Sequence, residues 1–342
     1  DWDVYFFLDG PRSAQDEQAV QQVRAVVEAS SFFPRCTIQA EISNRGLYSA
    51  ITSGVSYVLS RHESIVVLEE DIVTASSFLD YMRIGLETYR DEAGVGSIHG
   101  FLPPFKENAL PETFFLRGAD CWGWATWRDR WSCFRADASA MLREIETRKL
   151  SHHFNLLGNY AYTDLLAARA SGQSGSWAIC WHASCYLAGL HTLYPGRSLV
   201  ENIGLDNSGE HCQPSPMMAS TAASQPIRVR KIEVKELPWV HEKYSEYFSS
   251  TRRHSHKLQR IVKLLDDKTR SVSRRALRLM GRLSQRKSAF LRSTNRTSIL
   301  HLTGPYSDYE TALLHSQGYD SSVVLDKGYQ GVLAVLNREA AY

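Results

Sequence analysis

The sequence predicts an α/β fold in which helices cover both faces of a mostly parallel sheet. Short apolar runs that are typical of buried strands alternate with segments of helical period through the first hundred residues. Turn residues such as Asp9-Gly10-Pro11 separate these segments. Because parallel strands need long crossover connections, this alternation indicates a parallel sheet. The length of 342 residues allows two domains.

The individual elements follow from local patterns along the chain. Helical period is clearest where Val20, Val23 and Val27 recur, and residues 36–42 alternate as a short strand does. The predicted order is a strand at 4–8, a helix at 16–29, a strand at 36–42, a helix from Leu47 to Leu59, a strand at 65–68 and a helix from Phe78 to Leu86. Residues 97–212 are less regular, with one further strand predicted at 97–101.

Three acidic residues, Glu69, Glu70 and Asp71, directly follow the apolar strand 65–68. Polar residues often end a strand, so these acids could simply mark the exit of the chain from the sheet. Three adjacent carboxylates, however, repel one another and resist burial. A cation between them would remove the repulsion, and Mg²⁺ and Mn²⁺ prefer carboxylate oxygen. Ligands of parallel sheets bind beyond the carboxyl ends of the strands. Asp9 and Asn44-Arg45 also follow strands, so we expect these groups to line one crevice.

Charge is unevenly distributed, although the formal net charge is only +2. Residues 252–296 hold 15 Lys and Arg against two acids, and the rest of the chain is acidic. A solvated helical connector is the first interpretation of this basic segment. Contact with an anionic membrane surface is a close second. Nucleic acid is a third interpretation, but aromatic residues are not interleaved there, and we expect no nucleic-acid partner.

Cysteine spacing and hydropathy narrow the class of protein. The six cysteines show no CxxC pairs and no zinc spacing, which predicts buried free thiols in a reducing compartment. The chain contains no run of 18 apolar residues, so no membrane-spanning helix is predicted. No signal peptide opens the chain.

The composition changes at 213–224, where Pro, Ser, Ala and Met are frequent, as they are in a linker. Both ends interrupt predicted elements, so we expect a piece of a longer protein.

Four motifs in order carry a family resemblance: VYFFLDGPR, NRGLYSAITSGV, IVVLEEDIVTASSFLDYM and WGWATW. Together they resemble a GT-A glycosyltransferase, nearest to bacterial enzymes with a glycosyltransferase family 2-like domain that serve surface polysaccharide assembly. They are more distantly similar to the N-acetylglucosaminyltransferase I family. The resemblance covers residues 1–212, which implies a nucleotide-diphospho-sugar transferase domain there and a linker with a basic helical segment at 213–296.

The last part of the chain carries a second resemblance. Residues 302–342, beginning LTGPYSDYETALLHSQGYDSS, look like the opening of a methyltransferase-like domain from bacterial polysaccharide loci. We therefore place the start of that domain at 297–342. The strand-Gly-x-Gly pattern that holds S-adenosylmethionine does not occur in this segment. We expect no methylation by this chain as it stands.

The resemblance implies a nucleotide-sugar site around the acidic triplet. Asp71 corresponds to the last acid of the DxD-type motif and would hold Mn²⁺ or Mg²⁺ between the two phosphates. Glu70, beside Glu69, stands where the family usually has an aspartate that faces the ribose. Asp9 would accept hydrogen bonds from uracil, which favours a UDP-sugar. Asn44 and Arg45 match a segment that contacts the nucleotide.

An inverting transferase also needs a carboxylate that removes the acceptor proton. The resemblance points to Asp164 in YAYTDLLAARA. An equally weighted alternative makes Asp164 the N-cap of the following helix. Glu201, Asp206 and Asp120 are the other acids within reach of such a site. His211 matches a late histidine that many GT-A enzymes place near the metal, although a structural histidine is the commoner case.

The four tryptophans of CWGWATWRDRW have two readings, sugar stacking and core. We expect Trp122, Gly123 and Trp124 to lie near the donor or acceptor sugar, with Gly123 allowing a close backbone approach. Trp127 and Trp131 are expected in the core.

The leading hypothesis is a metal-dependent, inverting glycosyltransferase of surface polysaccharide synthesis. It would move a sugar from a nucleotide diphosphate donor to a glycan or lipid-linked acceptor, in the cytoplasm, on the inner face of the plasma membrane. One rival is a non-catalytic module that binds nucleotide or glycan within a larger methyltransferase protein. Another is a methyltransferase whose upstream domain only binds the acceptor.

Overall fold

A computed structural model describes residues 2–29, 35–106, 109–206 and 218–249, and the backbone of 332–337. All of these belong to one compact unit, which runs to Ser249 and includes the strand at 332–337. The predicted domain boundary at residue 212 therefore lies inside this unit and not at its edge. The basic segment 252–296 lies outside the described residues, as does residue 211.

The elements alternate as the sequence predicts over the first ninety residues. The helices are α1 (Glu17–Ala29), α2 (Leu47–Leu59), α3 (Phe78–Thr88), α4 (Arg128–Trp131), α5 (Ala138–Thr147), α6 (Ser151–Phe154), α7 (Tyr162–Ala170), α8 (Ala178–Leu187) and α9 (238–249). The strands are β1 (Asp3–Leu8), β2 (Cys36–Ala40), β3 (Ser64–Leu68), β4 (Ile72–Thr74), β5 (Val95–His99), β6 (Thr113–Arg117), β7 (Trp124–Trp127), β8 (His191–Pro195), β9 (Val200–Asn202) and β10 (Val332–Asn337). The strand predicted at 97–101 begins and ends two residues earlier, as β5.

The main sheet has eight strands in the order β2-β1-β10-β3-β7-β5-β8-β6. The pairings make β1, β2, β3, β5 and β8 run in one direction, whereas β10, β7 and β6 run against them. The fold is thus mixed α/β: five of the eight strands run in one direction, although only two of the seven adjacent pairs, β1 with β2 and β5 with β8, are parallel. A small second sheet pairs β4 with β9. The carboxyl ends of the parallel strands meet at one edge, where ligands of such sheets bind.

Strand β10 changes the centre of the sheet. It pairs antiparallel with β1 on one side and β3 on the other, so that Leu8 faces Val332 and Leu68 faces Ala334. Sequence alternation alone leads one to expect neighbouring β1 and β3. Because strands lie about 4.8 Å apart, the ends of β1 and β3 are separated by about 10 Å. The loops after them share an edge of the sheet without being adjacent.

Helices cover both faces of the sheet, because successive strand residues point to opposite faces. Val66 of β3 packs in one buried cluster with Phe78 and Met82 of α3. Its neighbours Ile65 and Val67 pack in another cluster that contains α2 and α8. This arrangement confirms the predicted α/β layering.

Residues 218–249 pack onto the sheet, which corrects the interpretation of 213–224 as a linker for the part that is described. Ser220 is buried, and the Ala223 N–H donates to Ser198 O at 2.8 Å. On α9, Val240, Tyr244 and Phe248 recur at helical spacing and fill a cluster with the sheet. The helix is held by this apolar stripe.

No helix among the described residues is long and apolar enough to cross a membrane. None of the five described cysteines forms a disulfide. Cys180 and Cys185 are buried as predicted, whereas Cys36 is exposed, because it opens the edge strand β2. The prediction of buried thiols is therefore wrong for Cys36.

Candidate active site

The acidic triplet lies at the carboxyl end of β3, near the middle of the sheet. A tight turn closes there, with the Ile72 N–H donating to Glu69 O at 3.1 Å. The chain then enters β4, which pairs with β9 so that Ile72 faces Asn202. The sequence predicts this position for Glu69, Glu70 and Asp71.

Asp71 is held by the segment that follows β9. Its carbonyl oxygen accepts a hydrogen bond from the Ile203 N–H at 2.9 Å. A Cβ atom added to Gly204 would lie 2.7 Å from Asp71 Oδ2, so a larger residue would displace that carboxylate. The side chain of Asn202 is buried beside Gly204, and its Oδ1 accepts from the Gly204 N–H at 2.8 Å. The fold thus places residues 202–204 around Asp71.

Glu69 and Asp71 are acidic side chains whose negative charge has little local compensation. Burial, with the charges of Asp71 and Glu70, raises the pKa of Glu69 well above its ordinary value. Burial also raises the pKa of Asp71, and the Asn202 side chain opposes that rise. Within the described ranges, neither Glu69 nor Asp71 forms an ion pair with a lysine, arginine or histidine. A divalent cation is the kind of ligand that such a group of carboxylates favours.

Asp9 joins the loops after β1 and β2. Its Oδ1 accepts from the N–H groups of Gly10 at 2.8 Å and Arg45 at 2.7 Å, and its Oδ2 accepts from Gly46 at 2.9 Å. The residue is only 3% exposed. Its buried carboxylate has little surface left for uracil. The structure instead gives Asp9 the role of organising the loop before α2.

Asn44 and Arg45 lie in that same loop. The Asn44 side chain donates to Gly10 O at 3.3 Å, and the Arg45 guanidinium pairs with Glu41 at 2.6 Å. Arg45 remains 45% exposed at its side chain, so a ligand at this edge can reach it. A Cβ atom at Gly10 would lie 2.4 Å from the Ser43 backbone, which shows how closely the two loops approach.

The tryptophan segment divides between surface and core. Trp122 is partly exposed, with its ring 4.6 Å from Phe101. Trp124 is fully buried and lies 5.5 Å from Trp177 and 5.7 Å from Trp181. The prediction that Trp124 contacts a sugar is therefore wrong, because β7 turns that side chain into the core. Trp127 and Trp131 are buried as predicted.

Gly123 is needed for packing within the protein. Its φ of 64° is in the left-handed region, and a Cβ atom there would lie 2.9 Å from Val200 Cγ1. The close approach predicted at Gly123 is thus to Val200 and Phe78 of the protein itself. Trp122 alone of this group offers a ring to a sugar.

Asp164 lies on the outer side of the structure. It is exposed in the first turn of α7, and Ala161 occupies the N-cap without a side-chain hydrogen bond. The alternative interpretation as an N-cap is therefore wrong. Glu201 is half-buried on β9, where it faces Val73 of β4. His211, the predicted second metal ligand, lies outside the described residues.

A carboxylate that sequence analysis ranked low, Asp120, is the most perturbed one near the sheet edge outside the triplet. The Tyr194 hydroxyl donates to its Oδ2 at 3.3 Å, and His99 Nε2 lies 3.9 Å from the same oxygen. Burial raises the pKa of Asp120 to about 6, although Tyr194 and the Cys121 backbone lower it. A signal was present in the sequence: His99 is the one titratable residue of its strand, and Asp120 shortly precedes the WGW segment.

A further cluster consists of His153, Glu236 and His241, whose ligand atoms all lie within 4.8 Å of one another. The two imidazole rings stack 4.4 Å apart at 9°, so their planes are nearly parallel. A metal ion must lie close to the plane of each ring that binds it, and stacked rings do not meet that condition. His153 Nε2 instead lies 3.0 Å from Glu236 Oε2, and the Arg117 N–H donates to Glu236 Oε1 at 2.8 Å. We describe this cluster as a hydrogen-bonded attachment of α9.

Compared with protein-family models and with curated proteins, the chain matches none.

Proposed function

We propose that this protein is a divalent-metal-dependent glycosyltransferase that transfers a sugar, with inversion, from a nucleoside diphosphate sugar to an acceptor hydroxyl. One observation carries the proposal. Glu69 and Asp71 lie at the carboxyl end of a central strand, and within the described residues they form no ion pair. The resemblance of the motifs around them to GT-A enzymes supplies the reaction.

Asp71 is the residue that would hold the ion, with His211 as the second predicted ligand. Its donor atoms are hard carboxylate oxygens, which fit Mn²⁺ and Mg²⁺. When bound, such an ion stabilises the negative charge that develops on a departing diphosphate. Gly204 leaves space for the carboxylate, and the Ile203 N–H holds the Asp71 backbone, so the protein contributes a positioned ligand.

The donor nucleotide would lie across the loops after β1 and β2. Arg45 is the exposed cation of that loop, and Asn44 stands beside it. Asp9 would act indirectly, since it holds the Arg45 and Gly46 backbone in place. Glu70 is exposed next to Asp71 and is the candidate for the ribose.

The cellular setting is part of the same proposal. A glycan or lipid-linked acceptor on the cytoplasmic side of a bacterial membrane fits an enzyme of surface polysaccharide synthesis. The basic segment 252–296 would supply peripheral contact with anionic headgroups. A non-catalytic nucleotide-binding module is the rival, and Glu70, a glutamate where the resemblance implies an aspartate, is the observation that favours it.

The test uses the full 342-residue chain with a panel of radiolabelled nucleotide sugars and Mn²⁺. We expect release of nucleoside diphosphate that stops with a chelator and falls on the order of 10²–10³-fold in Asp71→Ala, because the variant loses the charge stabilisation of the leaving group. The matched control is Glu146→Gln, which changes an exposed acid on α5 and should retain activity.

The outcomes separate the proposal from its rival. Tight, metal-dependent nucleotide binding without release would identify a binding module. Equal turnover in wild type and Asp71→Ala would contradict the proposal outright, since the acidic triplet would then have no part in the reaction.

A further inference from the structure

We propose that Asp120, and not Asp164, is the general base of this reaction, and that the acceptor is an uncharged carbohydrate hydroxyl. This inference rests on the proposed function and adds its acceptor side. Asp120 lies between β6 and β7, beside the carboxyl ends of β5 and β8, the same edge of the sheet that carries the acidic triplet.

The geometry of Asp120 is that of a positioned carboxylate. Its side chain is 35% exposed, so a substrate can reach it. The Tyr194 hydroxyl, on β8, fixes Oδ2 from the protein side at 3.3 Å. A general base needs both conditions, access to the proton and a fixed orientation.

His99 is the second observation that points to a ligand here. The residue is fully buried at the end of β5, and neither ring nitrogen has a hydrogen-bond partner within the described residues. Native proteins leave few buried polar groups unpaired, and a catalytic role or a bound ligand is one explanation for such a group. Its Nε2 lies 3.9 Å from Asp120 Oδ2, so a small shift on substrate binding would bring the two groups into contact.

The protonation behaviour of the pair suits base catalysis near neutral pH. Burial raises the pKa of Asp120 to about 6 and lowers the pKa of His99 to about 3, so above pH 6 an anionic carboxylate stands beside a neutral imidazole. A base is most effective when its pKa lies near the working pH. The titratable groups that face Asp120 are His99, Tyr194, Tyr160, Tyr162, Tyr244 and Cys121.

The surroundings select a neutral acceptor. Tyr160 and Tyr162, whose rings lie 4.4 Å apart, are partly exposed near Asp120, and aromatic faces pack well on sugar rings. No described lysine or arginine contributes to the charge environment of Asp120. A phosphate acceptor would be repelled there, whereas a sugar hydroxyl would not.

The step balances with the groups named. The acceptor hydroxyl oxygen forms the new bond to the anomeric carbon, and its proton moves to the Asp120 carboxylate. The bond between the anomeric carbon and the diphosphate breaks, and the diphosphate leaves with the electron pair. The Asp164 side chain is exposed on α7 and forms no hydrogen bond with the described residues, so no group orients its carboxylate.

The experiment compares Asp120→Asn, Asp164→Asn and Tyr194→Phe in the full chain, with Glu146→Gln as control. We expect Asp120→Asn to lower kcat by ~10²–10⁴-fold while Mn²⁺-dependent UDP binding stays within about twofold, because only the proton transfer is lost. Wild-type kcat/KM should fall tenfold per pH unit below about pH 6. Tyr194→Phe, which removes a bond to the charged carboxylate, should move this acid limb to higher pH.

The outcomes distinguish a failure of the Asp120 assignment from a failure of the proposed glycosyltransferase function. Transfer that persists in Asp120→Asn and disappears in Asp164→Asn overturns the assignment of the base and leaves the proposed function intact. Transfer to a phosphate in preference to a sugar hydroxyl overturns the acceptor class. A wild-type chain that turns over no nucleotide sugar overturns both. Thermal unfolding of each variant shows whether a loss reflects misfolding.

Discussion

Glu69 and Glu236 are both half-buried glutamates, yet their environments shift their pKa values in opposite directions. Burial and two neighbouring carboxylates raise the pKa of Glu69 well above its ordinary value. Burial also acts to raise the pKa of Glu236, but the bond to His153 and the Arg117 N–H outweigh it and lower the pKa. The surroundings thus destabilise the carboxylate anion of Glu69 and stabilise the carboxylate anion of Glu236.

The difference distinguishes a site whose charge favours binding of a cation from a site whose charge is already balanced by protein groups. Glu236 is compensated by protein groups, and its cluster attaches α9 to α6 and β6. Glu69 and Asp71 have no such cationic partner within the described ranges. Local charge balance, more than the number of possible ligands, therefore identifies the candidate metal centre. Three variants test this contrast.

The largest effect should come from adding the ion itself. At a Mn²⁺ concentration 100 times its Kd, binding to the folded state should stabilise the wild type by about 2.7 kcal/mol. Thermal unfolding with and without Mn²⁺ measures this shift. Asp71→Ala should lose the stabilisation and Glu236→Gln should keep it. The reverse pattern would identify the His153–Glu236–His241 cluster as the metal site and would contradict the contrast.

A smaller effect is expected from Glu236→Gln without metal. The change removes the charged partner of His153 and should destabilise the protein by ~1–3 kcal/mol, less than a fully buried pair because His153 is 40% exposed. Because the folded-state pKa of Glu236 is lowered, its contribution is present above the ordinary value of 4.5 and is lost as pH falls through the folded pKa. Hydrogen exchange of 238–249 should become faster, whereas Glu246→Gln on the exposed side of α9 should not change it.

The smallest effect, and of opposite sign, is expected from Glu69→Gln. Removal of one of three repelling charges should leave the metal-free protein unchanged or stabilise it by up to ~1 kcal/mol. Urea unfolding in the presence of a chelator measures this difference. A loss above ~1 kcal/mol would mean that Glu69 has a stabilising role in the fold and would weaken the comparison with Glu236.

Local sequence patterns were sufficient to predict the helices and strands that depend only on residues close together in the chain. The valines of α1, the alternation of β2 and the apolar run of β3 gave these elements nearly as the structure has them. The acids after β3 could also be located, because the strand direction alone puts them at the carboxyl edge. Trp124 could not be separated from Trp122 by sequence, because the choice depends on which face of β7 meets α8.

Contacts between residues that are far apart in the chain could not be predicted from such local patterns. Strand β10 enters the sheet between β1 and β3 from more than 250 residues away, and α9 packs through a stripe that follows a stretch of linker-like composition. The constellation of Asp120, His99 and Tyr194 spans three separate elements. None of these partners lies near another in the chain, so no local spacing records them.

The sequence by itself determined the α/β class, the order of the early strands and helices, and the position of Glu69, Glu70 and Asp71 after a buried strand, since these depend on periodicity and chain direction. Only the tertiary structure decided that Asp9 supports a loop, that Trp124 belongs to the core and that Asp120 is a perturbed, accessible carboxylate. Burial and charge compensation are properties of surroundings, and the surroundings of a side chain are assembled from segments that the fold brings together.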